Sequence, residues 1–195
     1  MPETLSFQEP LEKSVLEETV EVLDNRGVIL YPTDTVYGLG CDITSKEAVA
    51  RIFSLKKRDS DTPLSIAVSD VEMMKAYVQL GSREENYVRE RVPGPYTFIL
   101  QKKETVFGFV TSELPTVGIR VPECSPLLSL LQLYDKPIIT TSANISGEKP
   151  PASLEDVGDE MKNKVDLILD GGQCRTGNPS TIIDLTKEGR DVIRP

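Results

Sequence analysis

The chain has 195 residues, 38% of them hydrophobic, with 22 basic and 31 acidic side chains and a net charge of −9. That length suits one domain that buries about 70% of its unfolded surface, and the acidic balance opposes charge-driven binding to nucleic acid or anionic lipid. Histidine is absent, which removes histidine triads, histidine–zinc sites and imidazole proton shuttles.

The first residues, Met1-Pro2-Glu3-Thr4-Leu5, carry neither a basic region nor a long apolar run, and no segment approaches membrane-spanning length. A soluble, cytoplasmic protein is expected, with a flexible N-terminus over residues 1–7 and a single domain over 8–195. Residues 11–26 place leucine and valine among acidic groups at helical spacing, with Gly27 as a stop. Gly27 to Tyr31 reads as a buried strand that enters a polar turn, Pro32-Thr33-Asp34-Thr35. Thr44-Ser45-Lys46-Glu47 reads as a capping box that opens a helix ending near Lys56 and Arg58. Leu64 to Val68 is a short strand, and helices are expected near 70–78 and 82–91, the second opened by a box from Ser82 to Glu85. After Pro93-Gly94-Pro95 come strands at 96–100 and 117–121, a helix at 125–133, and a strand from Lys136 to Thr141. A helix over 153–163 and strands at 165–169, 181–185 and 191–194 complete the reading. Without a strict β-α-β alternation, the fold class is α/β: a twisted, mixed parallel and antiparallel sheet with helices packed on it. Cys41, Cys124 and Cys174 form no C-x-x-C pair and read as reduced thiols.

Hydroxyls and cations concentrate at a few turns. Thr33 and Thr35 follow one strand, and Ser142 and Asn144 follow another. In open α/β sheets, ligands bind beyond the carboxyl ends of strands. Each feature also has a plain structural explanation. Lys56, Lys57 and Arg58 complement a helix C-terminus. Arg120, within Val117-Gly118-Ile119-Arg120-Val121, either faces solvent or grips an anion, with Gly118 allowing close approach. Ser142-Ala143-Asn144 and Asn178-Pro179-Ser180-Thr181 are ordinary turn compositions. No P-loop or dinucleotide fingerprint is present. Together the segments read as a hydroxyl-lined anion pocket.

Several motifs in order resemble the YrdC-type threonylcarbamoyl-AMP synthases: Pro32 to Gly40, Lys56-x-Arg58, Pro93 to Thr97, Val117 to Pro122, Thr141 to Gly147, Pro179 to Leu185 and Val192 to Pro195. The resemblance covers roughly residues 12–195. It implies a YrdC-like open sheet with a large concave pocket, and a nucleotidyltransferase converting L-threonine, bicarbonate and ATP to threonylcarbamoyl-AMP and pyrophosphate, for tRNA modification. It further implies catalytic Lys56, Arg58, Ser142 and Asn144. Thr62, Thr116, Pro150 and Arg194 join these four at ATP, and Thr33, Thr35, Arg120, Thr140 and Ser180 hold threonine. No metal-ligating side chain is implied; Mg²⁺ bridges the phosphates. tRNA and a threonylcarbamoyl transferase are the implied partners, and no membrane is. The chain departs from many members in having Ala67 in place of a histidine and Thr62 in place of an asparagine, and its end at Pro195 matches the short form. Two other readings stand beside this one: a related carbamoyl-adenylate-forming enzyme, and a non-catalytic double-stranded-RNA-binding module.

Overall fold

The computed structural model describes residues 2–187 and 191–195. In chain order they form β1 (Glu3–Ser6), α1 (Lys13–Asp24), β2 (Ile29–Tyr31), β3 (Gly38–Gly40), α2 (Lys46–Leu55), β4 (Ser65–Ala67), α3 (Val71–Tyr77), α4 (Ser82–Arg89), β5 (Tyr96–Gln101), α5 (Gly108–Thr111), β6 (Thr116–Arg120), α6 (Ser125–Tyr134), β7 (Ile138–Ser142), α7 (Asp159–Lys162), β8 (Leu167–Asp170), β9 (Thr181–Asp184) and β10 (Asp191–Arg194). The strands make one 10-stranded sheet in the order β1-β8-β2-β3-β7-β4-β6-β5-β9-β10. Pairing is mixed: β2–β8, β4–β6 and β5–β9 are parallel, whereas β2–β3, β3–β7, β4–β7 and β5–β6 are antiparallel.

The period-2 alternation of each strand divides its side chains between two faces. Leu30, Leu39, Ile66, Phe98, Ile119, Ile139, Ile168 and Ile183 pack on one face, against α2, α3, α4 and α5. Ile29, Tyr31, Ala67, Ile138, Leu167 and Leu169 point the other way, where α1 and α6 supply Val15, Leu23, Leu127, Leu130, Leu131 and Tyr134. The two helices cover only part of that second face. Beyond them the same strands present Thr140 and Ser142 on β7, Ser65 on β4, Thr116, Gly118 and Arg120 on β6, Thr97 and Ile99 on β5, and Ile182 on β9. The pocket is this uncovered stretch of sheet. Its polar lining follows from strands that read polar on one face and apolar on the other.

The N-terminal residues are a correction to the sequence reading. Residues 3–6, expected to be flexible, form β1 and run parallel to β8, from Glu3 opposite Leu167 to Ser6 opposite Asp170. Phe7, buried among Leu167 and Leu169, anchors the strand; a ring so placed contributes about 1.5–3 kcal/mol. The helix expected over 153–163 shrinks to α7, because the Asp156 carboxylate accepts from the Ala152 and Ser153 amides (3.2 and 3.1 Å) and fixes a turn in its place. Both capping boxes also differ. Ser45, not Thr44, caps α2 by accepting from Ala48 N (3.2 Å), and Ser82 lies inside α4, whose N-cap is Gly81 without a side-chain bond. β3 went unforeseen in Gly38-Leu39-Gly40. Glycine is required at Gly40, where an added Cβ would lie 2.7 Å from the Tyr31 ring and 2.9 Å from the Ile139 carbonyl oxygen.

Candidate active site

The cavity on the open half of the sheet has a volume of about 340 Å³, within the usual range of small-molecule sites. Its floor is a row of small or hydroxyl-bearing residues brought into register across three strands: Thr140 pairs with Ser65, and Ser65 with Gly118. A Cβ on Gly118 would sit 2.4 Å from Ser65 Oγ and 3.2 Å from Thr97 Cγ2, so glycine keeps the floor low.

Arg58 reaches the cavity through the way α2 ends. Lys57 N donates to Ser54 O and Arg58 N to Phe53 O (3.1 and 3.0 Å), with Lys57 in the left-handed region at φ 48°. This is a Schellman stop without glycine, and it turns the chain so that Arg58 points over the sheet. The following loop fixes the guanidinium, which donates to the carbonyls of Thr62 (3.3 Å) and Pro63 (2.8 Å). Burial lowers the Arg58 pKa, and burial with Arg120 nearby lowers that of Arg194. Arg194 arrives from β10 and donates twice to Ser180 O, at 3.1 and 2.8 Å. Ser180 Oγ lies 2.8 Å from Thr97 Oγ1.

Arg120 forms the far wall. Its guanidinium donates to Asp34 Oδ1 (2.6 Å) and Thr35 Oγ1 (3.0 Å), with Arg120 and Asp34 side chains only 6% and 0% exposed. Nε of Arg120 and Oδ2 of Asp34 are buried without partners. Thr33 Oγ1 donates to Val36 O (2.7 Å) and accepts from the Thr35 and Val36 amides. Thr35 Oγ1 lies 2.8 Å from this hydroxyl. With the Thr33 proton on Val36 O, Thr35 Oγ1 accepts only from Arg120 and keeps a lone pair that suits a ligand amine or hydroxyl. Thr33 lines the cavity, but its hydroxyl serves the turn.

Of the residues expected at the site, Arg58, Thr62, Thr116, Ser142, Arg194, Thr33, Thr35, Arg120, Thr140 and Ser180 line this one cavity. Lys56, Asn144 and Pro150 do not. Lys56 is 2% exposed, and its ammonium donates to the Ser142 carbonyl and, at 2.9 Å, to that of Asn144. Burial, aided by the Arg58 charge, lowers its pKa to about 8. Asn144 turns away and borders a separate cavity of about 80 Å³ with Leu55, Glu148 and Met161. Pro150 lies in the loop beyond. A helix C-terminus shows how far a basic run travels along the chain, but not which of its side chains turns inward. Asp34 and Thr97 were missed. The signal for Asp34 was its position between two threonines at a strand end; that for Thr97 was its parity opposite the apolar Phe98.

Comparison with known proteins places these features in a family. The family model described as "Telomere recombination", covering Sua5, YciO and YrdC proteins, matches residues 21–195. The threonylcarbamoyl-AMP synthase of Pyrococcus abyssi is 38% identical over 169 residues, 86% of this chain and 50% of that protein. A putative threonylcarbamoyl-AMP synthase of Methanocaldococcus jannaschii is 33% identical over 93% of this chain and 86% of its own length. The chain thus spans about half the length of the Pyrococcus protein. Among solved structures, P. abyssi Sua5 in complex with L-threonine superposes with a TM-score of 0.94 at 34% identity, over 98% of this chain and 57% of that one. E. coli YciO superposes at 0.91 and 29% identity, over 100% of this chain and 95% of that one. With the mixed sheet, the half-open face and the sequence shared over most of its length, the chain belongs to the Sua5/YciO/YrdC family.

Proposed function

We propose that this chain is a threonylcarbamoyl-AMP synthase, a nucleotidyltransferase that joins L-threonine, bicarbonate-derived CO₂ and the AMP moiety of ATP. The observation that carries the reading is the convergence of Arg58, Arg120 and Arg194 on one hydroxyl-lined cavity whose lining, among the described residues, contains no carboxylate. A net-acidic chain that brings three arginines together there is suited to polyanionic ligands. Arg58, Thr62, Thr116, Ser142 and Arg194 hold ATP in this proposal. Arg120, Thr35, Thr140 and Ser180 hold threonine, its carboxylate on the unused N–H donors of Arg120 and its amine or hydroxyl on the lone pair of Thr35. The naming of the Pyrococcus relative and its solved complex with L-threonine support the assignment.

The chemistry asks for little proton transfer. The threonine amine adds to CO₂ and loses a proton, giving a carbamate. A carbamate oxygen attacks the α-phosphorus of ATP, the bond to the bridging oxygen breaks, and pyrophosphate leaves with its electron pair. The nucleophile is already anionic, so a histidine-free site suffices; the protein orients the two anions and neutralises charge that builds on the phosphates. Among the described residues no three acidic or cysteine side chains group so as to hold a metal; in this proposal Mg²⁺ arrives with ATP. No helix of the described residues is long and apolar enough to cross a membrane. We place the enzyme in the cytoplasm, passing its product to a threonylcarbamoyl transferase that acts on tRNA. The test is pyrophosphate release with each substrate omitted in turn. Release that requires ATP, threonine and bicarbonate together is the expected result; release without threonine, or none at all, overturns the proposal.

A further inference from the structure

The four residues that look like one catalytic set separate into two pairs. Arg58 and Ser142 line the cavity. Lys56 is buried and Asn144 turns away from the cavity, and both tie down the turn that follows Ser142. The Lys56 ammonium holds the Ser142 and Asn144 carbonyls, and the Lys56 carbonyl accepts from Ser146 N at 2.9 Å. One residue at the end of α2 thus fixes three points of the turn leaving β7. Asn144 Nδ2 completes the set by donating to the carbonyls of Ile145 (2.9 Å) and Glu148 (2.8 Å). From the other side Tyr37 O accepts from Ala143 N, also at 2.9 Å. None of these bonds uses the Ser142 hydroxyl. A lysine used as a phosphate contact presents its ammonium to the ligand; here two backbone acceptors take it, and 98% of the residue is out of reach of solvent.

We infer that Lys56 and Asn144 are positioning residues: they act through the 142–148 turn, holding the Ser142 hydroxyl at the nucleotide, and do not contact the substrates. The inference rests on the proposed synthase function and names how that site is held. Lysine suits the task because two carbonyls aimed at one point need a multiple donor with tetrahedral reach. Placement matters because an error of about 1 Å costs on the order of 100-fold in rate.

The test is a double-mutant cycle between Lys56→Met and Ser142→Ala, read by pyrophosphate release, with amide hydrogen exchange measured over the 142–146 turn. Each single variant is expected to lose about 100-fold in kcat/KM. KM for ATP should rise at least about tenfold and KM for threonine less than about twofold, a split that a simple loss of folded enzyme would not produce. The double variant is expected to match the worse single variant, since the lysine has nothing left to position. Losses that multiply, or a Lys56→Met protein whose turn amides exchange at the wild-type rate, overturn the inference. Should Lys56→Met not fold, Asn144→Ala replaces it in the same cycle with the same two outcomes. Wild-type protein without turnover sinks the proposed function alone, because the exchange measurement still decides whether Lys56 holds the turn.

Discussion

The buried pair of Arg120 and Asp34 offers a prediction with a magnitude. Arg120→Met keeps most of the side-chain volume and removes the charge, leaving the fully buried Asp34 carboxylate without its 2.6 Å partner. Two opposite charges about 4 Å apart attract by roughly 4 kcal/mol at an effective dielectric of 20, and breaking a buried pair from one side typically costs about 3–5 kcal/mol. For a domain of this size that lowers the melting temperature by about 6–20 °C. Asp34→Asn together with Arg120→Met removes both charges, so the double variant should recover most of the loss, because neither charge then remains buried alone. Urea unfolding of the wild type, both single variants and the double variant measures the cycle. A single-variant cost under about 1 kcal/mol, or a double variant as unstable as the sum of the two singles, would refute the account of this wall of the cavity.

Arg58→Ala should leave stability nearly unchanged, since the side chain is half-buried and bonded only to loop carbonyls, yet abolish most pyrophosphate release; wild-type rates would show that this cation serves the helix end alone. Lys56 has a folded pKa of about 8, below its ordinary 10.5. Between these values the unfolded chain binds more protons, so stability from this group rises with pH through that window. The stability difference between wild type and Lys56→Met, followed by urea unfolding, should therefore shift in favour of the wild type from pH 8 to 10.5; a flat difference would contradict the burial of a charged ammonium. Gly40→Ala should cost about 1–3 kcal/mol by overpacking, because the new methyl meets the Ile139 carbonyl and the Tyr31 ring; thermal melting at wild-type values would show that β3 has room.

Most strands were legible because their alternation is strong. Val117-Gly118-Ile119-Arg120 reads as two faces in sequence, and the structure sends Val117 and Ile119 to the core and Gly118 and Arg120 to the cavity. β1 was not legible: its side chains are largely exposed, and it is held by pairing with β8, some 160 residues away. β3 was hidden because two of its three residues are glycines, selected by the Tyr31 ring lying across them. At the site, the resemblance found the right turns but not the direction of each side chain. Lys56 and Arg58 are two residues apart, and only the left-handed Lys57 between them decides that one goes under the sheet's exit turn and the other over the cavity. Asp34 escaped notice because its partner lies 86 positions away in sequence.

Crystals soaked with ATP and L-threonine give the most direct view of the central claim, that one cavity receives both substrates. The account predicts the threonine carboxylate on Arg120 and the α-phosphate between Arg58 and Ser142, in the cavity over Gly118. Ligands bound in the smaller cavity behind Asn144, or at two sites that share no wall, would contradict it.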